Sequence, residues 1–207
     1  MNWGSGVLAK GRLSRLQRDI LLALTSISVL SPTRLGYNPS AFRMVELDSS
    51  PVLAVPRFLF SLVPANRARL EASRIETIQA TTSRSLRTLA KKGCVTLLNR
   101  NLEPLGHGET KVKYVALSKT GALLTARMLA GMGFGEGFLG YCRGLLLFRG
   151  KRPEDFGLAS RTVAGWIADG LGEELTHSQT SAITFRRGSM SVAEDPLFSF
   201  LASLLPR

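Results

Sequence analysis

The chain has 207 residues, 44% hydrophobic and 20% charged, a balance that excludes wholesale disorder and allows one full core or a domain with an appendage. Its 27 Lys and Arg against 15 Asp and Glu give a net charge of +12, a field that attracts polyanions, of which nucleic acids and anionic membrane surfaces are the abundant ones. Cys94 and Cys142 form no CxxC pair and have no clustered histidines beside them, so no zinc site and no disulfide framework is expected, and a reducing cytoplasm is the simplest compartment.

Residues 1–12 contain glycine and basic residues and read as a flexible basic arm. Leu13, Leu16, Ile20, Leu24 and Ile27 then recur at steps of three and four, the pattern of an amphipathic helix. Ser14 with Gln17 three residues later fits a capping box, and Pro32 ends the helix. Lys10, Arg12, Arg15 and Arg18 before the apolar run from Ile20 to Leu30 imitate a signal peptide, but Asp19 abuts the run, no small-x-small site follows it, and it is too short to span a bilayer. The expectation is a soluble, cytoplasmic protein with no membrane partner.

From Ser31 to Pro64 the chain is punctuated by Pro32, Gly36, Pro39, Pro51, Pro56 and Pro64 and reads as an insertion without long regular elements. Within it, Phe58, Leu59, Phe60, Leu62 and Val63 suggest a short helix or strand folded back onto the core. Asn66 to Ala80, with Leu70, Ile75 and Ile78 as anchors, predicts a helix, and Ala80-Thr81-Thr82 a turn and N-cap. A short basic helix follows from Thr82 to Lys92. Leu86 and Leu89, with Thr82 one turn earlier, fall on its packing side, while Ser83, Arg84, Arg87 and Lys91 project from the rest. Gly93 supplies the stop. Between Asn66 and Arg100 there are eight basic residues and only two acids, Glu71 and Glu76, so the positive excess is local.

Cys94 to Leu98 and Lys111 to Leu117 predict two strands, joined across a long loop holding Pro104, Gly106 and Gly108. Ser118 or Thr120 can cap the helix that runs through Ala122 to Ala130. Gly131 to Gly137 has the glycine density of a phosphate-cradling loop, but Glu136 stands where GxGxxG needs its third glycine and the segment follows a helix, so a hinge is expected. Beyond it, Val163, Trp166, Ile167 and Leu171 repeat at helical steps, and Leu197, Phe198, Phe200, Leu201, Leu204 and Leu205 crowd the C-terminus. These elements can complete the core or build a dimer interface.

His107 and His177 each stand alone, and the adjacent acids Glu154-Asp155 and Glu173-Glu174 have no visible partner, so no catalytic site, metal or cofactor is expected.

The order helix, insertion, helix, basic helix, strand, loop, strand, helix over residues 13–130 resembles a winged helix-turn-helix domain, and the run from Ser83 to Val95 is similar to the recognition helix and first wing strand of MarR-type regulators. The fold class implied is mainly α with a small β-hairpin. It consists of a winged helix-turn-helix domain over 13–130, interrupted by the proline-rich insertion at 31–64, and a helical C-terminal extension over 131–207 for dimerisation or partner docking. The resemblance also implies a homodimeric transcriptional regulator that binds double-stranded DNA sequence-specifically. Arg84 and Arg87 would donate to guanine O6 and N7 or to phosphates, with Arg87 the first choice for base reading. Thr81 and Ser83 would bond the backbone or a base edge, Lys91 and Lys92 would hold phosphates, and Arg100, Lys111 and Lys113 would arm the wing. Thr82 and Thr88 complete the candidate set. Two alternatives stay open: a DNA-binding component of plasmid or mobile-element replication or partition machinery, and an RNA-binding protein.

Overall fold

A computed structural model describes residues 12–29, 42–47, 50–61, 72–106, 108–147 and 157–178. The basic arm up to residue 11, residues 66–71 of the expected second helix, His107 and the apolar run from Leu197 lie outside them.

The first helix, α1 (Arg15–Val29), starts as its sequence dictates. The Ser14 amide donates to Gln17 Oε1 at 3.1 Å and the Gln17 amide donates to Ser14 Oγ at 3.3 Å, a reciprocal capping box. From Ile20 to Val29 every residue is buried, so the second half of α1 runs through the centre of the protein rather than along its surface.

The proline-punctuated segment holds more regular structure than its composition suggests. Strand β1 (Arg43–Leu47) pairs antiparallel with β2 (Ser50–Pro56), followed by the single helical turn α2 (Phe58–Ser61). Then comes one continuous helix, α3 (Ala72–Lys91). The expected turn at Ala80-Thr81-Thr82 does not form. Thr81 Oγ1 instead donates back to the Thr77 carbonyl at 2.8 Å, a bond made inside a helix and not at its cap. A hairpin follows, β3 (Val95–Leu98) with β4 (Tyr114–Leu117), as expected. Helices α4 (Lys119–Gly131), α5 (Gly135–Leu147) and α6 (Gly157–Ser178) complete the described chain.

The molecule is thus mostly helical with a small antiparallel sheet. That sheet has four strands in the order β1-β2-β4-β3, rather than a lone hairpin, because β2 pairs with β4 as well as with β1. Alternation along the strands sorts side chains to two faces. Leu53, Val55, Val95, Val115 and Leu117 join the main core, while Val52, Ala54, Leu98 and Ala116 form a smaller cluster on the other face. Trp166 of α6 packs against both clusters.

Helices α5 and α6 belong to the same core as α1: Phe138, Cys142, Val163, Ile167 and Leu171 join Ile20, Leu24 and Ile27 in one cluster. The glycine-dense segment expected as a hinge is a tight corner. Gly133, at φ +81°, donates to the Ala130 carbonyl and Phe134 to that of Leu129, the paired bonds of a Schellman cap, and α5 begins two residues later. No helix among the described residues is long and apolar enough to cross a membrane.

Candidate nucleic-acid interface

Helix α3 is held by one side. Leu86 and Leu89 are fully buried, each contributing about 1.5–3 kcal/mol by burial, and this fixes the helix about its own axis. At its end the Gly93 amide donates to the Ala90 carbonyl and the Cys94 amide to that of Leu89, both at 2.9 Å, with Gly93 at φ +70°. This Schellman cap turns the chain directly into β3, as the glycine stop predicted. The anchored leucines leave Arg84, Arg87, Thr88 and Lys91 exposed on the outer side of α3.

The candidate residues do not all reach that surface. Thr82 is 1% exposed, and its Oγ1 has no hydrogen-bond partner among the described residues. It belongs to the packing stripe with Leu86 and Leu89, as its helical spacing implied, and its burial is at odds with its inclusion among the candidate DNA contacts. Thr81 is exposed, with its hydroxyl proton turned to Thr77, and Thr88 Oγ1 likewise donates to the Arg84 carbonyl at 3.0 Å. Both threonines therefore present a methyl group and oxygen lone pairs outward. Arg84 Nε leans on the Ala80 carbonyl at 3.4 Å, Ser83 is half-buried, and Lys92 is half-buried beside the cap.

The β3–β4 loop brings the second group. Asn99 organises its first turn: Oδ1 accepts from the amides of Asn101 at 2.9 Å and Glu103 at 3.1 Å, and the main chain of Leu102 enters the left-handed region at φ 67°. Pro104 and Leu105 then lie along β3, with the Leu105 amide donating to the Leu97 carbonyl at 3.0 Å. The chain returns through Thr110 toward α3, where Arg87 Nη2 donates to the Thr110 carbonyl at 3.3 Å. Arg100, Lys111 and Lys113 are all exposed on this loop and its return.

Helix and loop enclose an open cleft of about 950 Å³, lined by Arg87, Lys91, Thr96, Thr110 and Lys119 among others. A second hollow of about 670 Å³ over the loop is lined by Arg100, Asn101, Lys111 and Lys113. Arg87 and Lys91 thus line one hollow and Arg100, Lys111 and Lys113 the other, the two sharing Gly108, the acid Glu109 and Thr110, while Thr82 lines neither.

Two basic residues were not singled out by the sequence. Lys119 lines the cleft from the first turn of α4. Arg57 follows the last residue of β2, and its Nη1 donates to Ser83 Oγ at 2.8 Å. Arg57 stands where β2, paired with β4, passes into α2, which packs against α3, and nothing in the proline-rich segment announces that arrangement.

The remaining chemistry is sparse. Among the described residues no group of three or more His, Cys, Asp and Glu could hold a metal ion. Both cysteines are free and buried. No protein-family model matches the chain, and no curated protein and no solved structure matches it.

Proposed function

We propose that this protein binds double-stranded DNA, laying α3 in the major groove with the β3–β4 loop as a wing beside it. The observation that carries the reading is the shared surface. Leu86 and Leu89 leave Arg84, Arg87 and Lys91 outward, Arg87 reaches across to Thr110, and the cleft lined by Arg87 and Lys91 adjoins the hollow lined by Lys111 and Lys113, with Glu109 and Thr110 lining both. The order α1, α3, hairpin, α4 accords with part of the winged-helix resemblance, but the helix expected over 66–80 and the basic helix are continuous in α3, and β1, β2 and α2 occupy the expected insertion. An exposed cationic helix supported by apolar residues on its inner side is the common architecture of major-groove readers.

The finer reading is a sequence-specific transcriptional regulator, cytoplasmic and homodimeric. Arg87 then reads a base edge, while Lys91, Arg100, Lys111 and Lys113 meet phosphates.

Selection of bound duplexes from a random pool, followed by titration of the recovered sequence at several salt concentrations, tests this. The expected result is a recovered consensus whose affinity falls linearly on a log–log salt plot, with a slope of about −0.9 per phosphate neutralised. Recovery of no consensus, together with tighter binding to structured RNA at equal salt, would transfer the same cationic surface to the RNA-binding alternative.

A further inference from the structure

Arg57 is connected to three elements at once. Its amide donates to the Lys113 carbonyl at 3.0 Å, continuing the β2–β4 ladder one step past the Pro56–Tyr114 pair. Its own carbonyl accepts from the Phe60 amide at 3.0 Å, which forms α2. Its guanidinium crosses to Ser83 on α3.

Ser83 lies one turn before Arg87, and Arg87 bonds Thr110, three residues before Lys113. The contacts therefore close a ring: Lys113, Arg57, Ser83, the turn of α3, Arg87, Thr110 and back to Lys113. Arg57 thus adds, among the described residues, a side-chain tie between the root of the loop and the middle of α3, beside the Arg87 bond and the path through the Gly93 cap and β3.

We propose that Arg57 is a positioning residue that fixes the separation of α3 and the wing before a duplex arrives. This rests on the DNA-binding reading for its function but not for its geometry. A guanidinium suits the task because it is planar and rigid, and because it donates to a neutral serine hydroxyl while keeping its charge and its other N–H donors. A lysine keeps the charge but loses the planar fork. Charge and positioning can therefore be separated by substitution.

The test compares Arg57→Lys and Ser83→Ala with the wild-type chain in two measurements. In the first, amide hydrogen exchange of the free protein is followed at residues 83–87 and 110–113. Both variants are expected to speed exchange at both segments, while exchange in α5 and α6 stays unchanged. In the second, affinities for the selected duplex and a scrambled one are measured across salt. Both variants are expected to lose discrimination between the two duplexes, because α3 and the wing are no longer held at one separation, with the salt slope unchanged.

Exchange that stays at wild-type rates in both segments overturns the proposal, whatever the DNA result. Retained discrimination with intact binding overturns it equally. If the wild-type chain selects no duplex, the DNA reading fails by itself, and the exchange measurement alone upholds or removes the tie.

Discussion

Gly121 stands so close beneath the main chain of Cys94 that a Cβ on it would overlap the Cys94 carbonyl oxygen and press within 2.9 Å of Leu117 Cδ1. The approach is drawn tight by Ser118, whose Oγ donates to the Gly93 carbonyl at 2.5 Å and accepts from the Gly121 amide at 3.1 Å. Ser118 thus caps α4 and bonds the residue that ends α3. Gly121→Ala is expected to destabilise the fold by about 1–3 kcal/mol or more, because backbone must move to admit the methyl group. Gly144→Ala on α5 meets nothing within 4 Å and is expected to stabilise by about 0.5–1 kcal/mol through helix propensity. Urea unfolding of the two variants reads both signs, and equal effects would contradict the packing described at Gly121.

Thr82 separates packing from recognition. Its buried Oγ1 has no partner among the described residues, so Thr82→Val removes an unsatisfied polar group and keeps the branched shape. Stability is expected to rise by about 1 kcal/mol, with duplex affinity unchanged. A loss of affinity without a loss of stability would return Thr82 to the binding surface.

Arg87 is the strongest candidate for base recognition. Arg87→Ala is expected to cost about 1–3 kcal/mol against the selected duplex and much less against a scrambled one. Competition binding of both duplexes at one salt concentration makes the comparison. An equal loss on both would reassign Arg87 to the phosphate backbone.

Lys111 and Lys113 are expected to behave differently. The backbone of Lys113 is committed, its amide to the Leu98 carbonyl and its carbonyl to Arg57, so replacing the side chain removes charge without loosening the strand. Lys111→Gln with Lys113→Gln should weaken binding to every duplex alike and make the salt slope shallower by about 1 for each of these lysines that neutralises a phosphate. An unchanged slope would show that the wing lies off the phosphate backbone.

The parts of this molecule that the sequence made legible are those governed by local chemistry. The Ser14–Gln17 box, the Gly93 stop and the Ser118 cap each depend on residues within a few positions of one another, and the β3–β4 hairpin was marked by strand composition on either side of a Pro- and Gly-bearing loop. The missed parts depend on distant partners. Val52 to Val55 is buried on both faces between Pro51 and Pro56, and without the partner strands such an apolar run carries no alternation to mark it as a strand. The break expected at Thr81 reflected the capping preference of threonine, yet Ile75, Ile78, Thr82, Leu86 and Leu89 keep one unbroken helical period across it. Arg57 was invisible because its role is defined by Ser83, 26 residues away.

Cys142 gives a pH dependence with a definite sign. Burial pushes its thiol from the ordinary 9.0 up to about 12, and burial raises Cys94 as well, partly opposed by the charge of Lys92. Below pH 9 folded and unfolded chains both hold the Cys142 proton. Between the ordinary value and the raised one, the unfolded chain releases it while the folded chain keeps it, so stability falls as pH rises. For one thiol the slope is about 1.4 kcal/mol per pH unit. The measurement is a difference, which isolates the one thiol: urea unfolding of the wild type and Cys142→Ala at a pH just below 9 and at one well above it. The wild type should lose more stability than the variant over that interval. Parallel losses would mean that the Cys142 thiol is open to solvent in the folded protein, contrary to its place in the core beside Phe138.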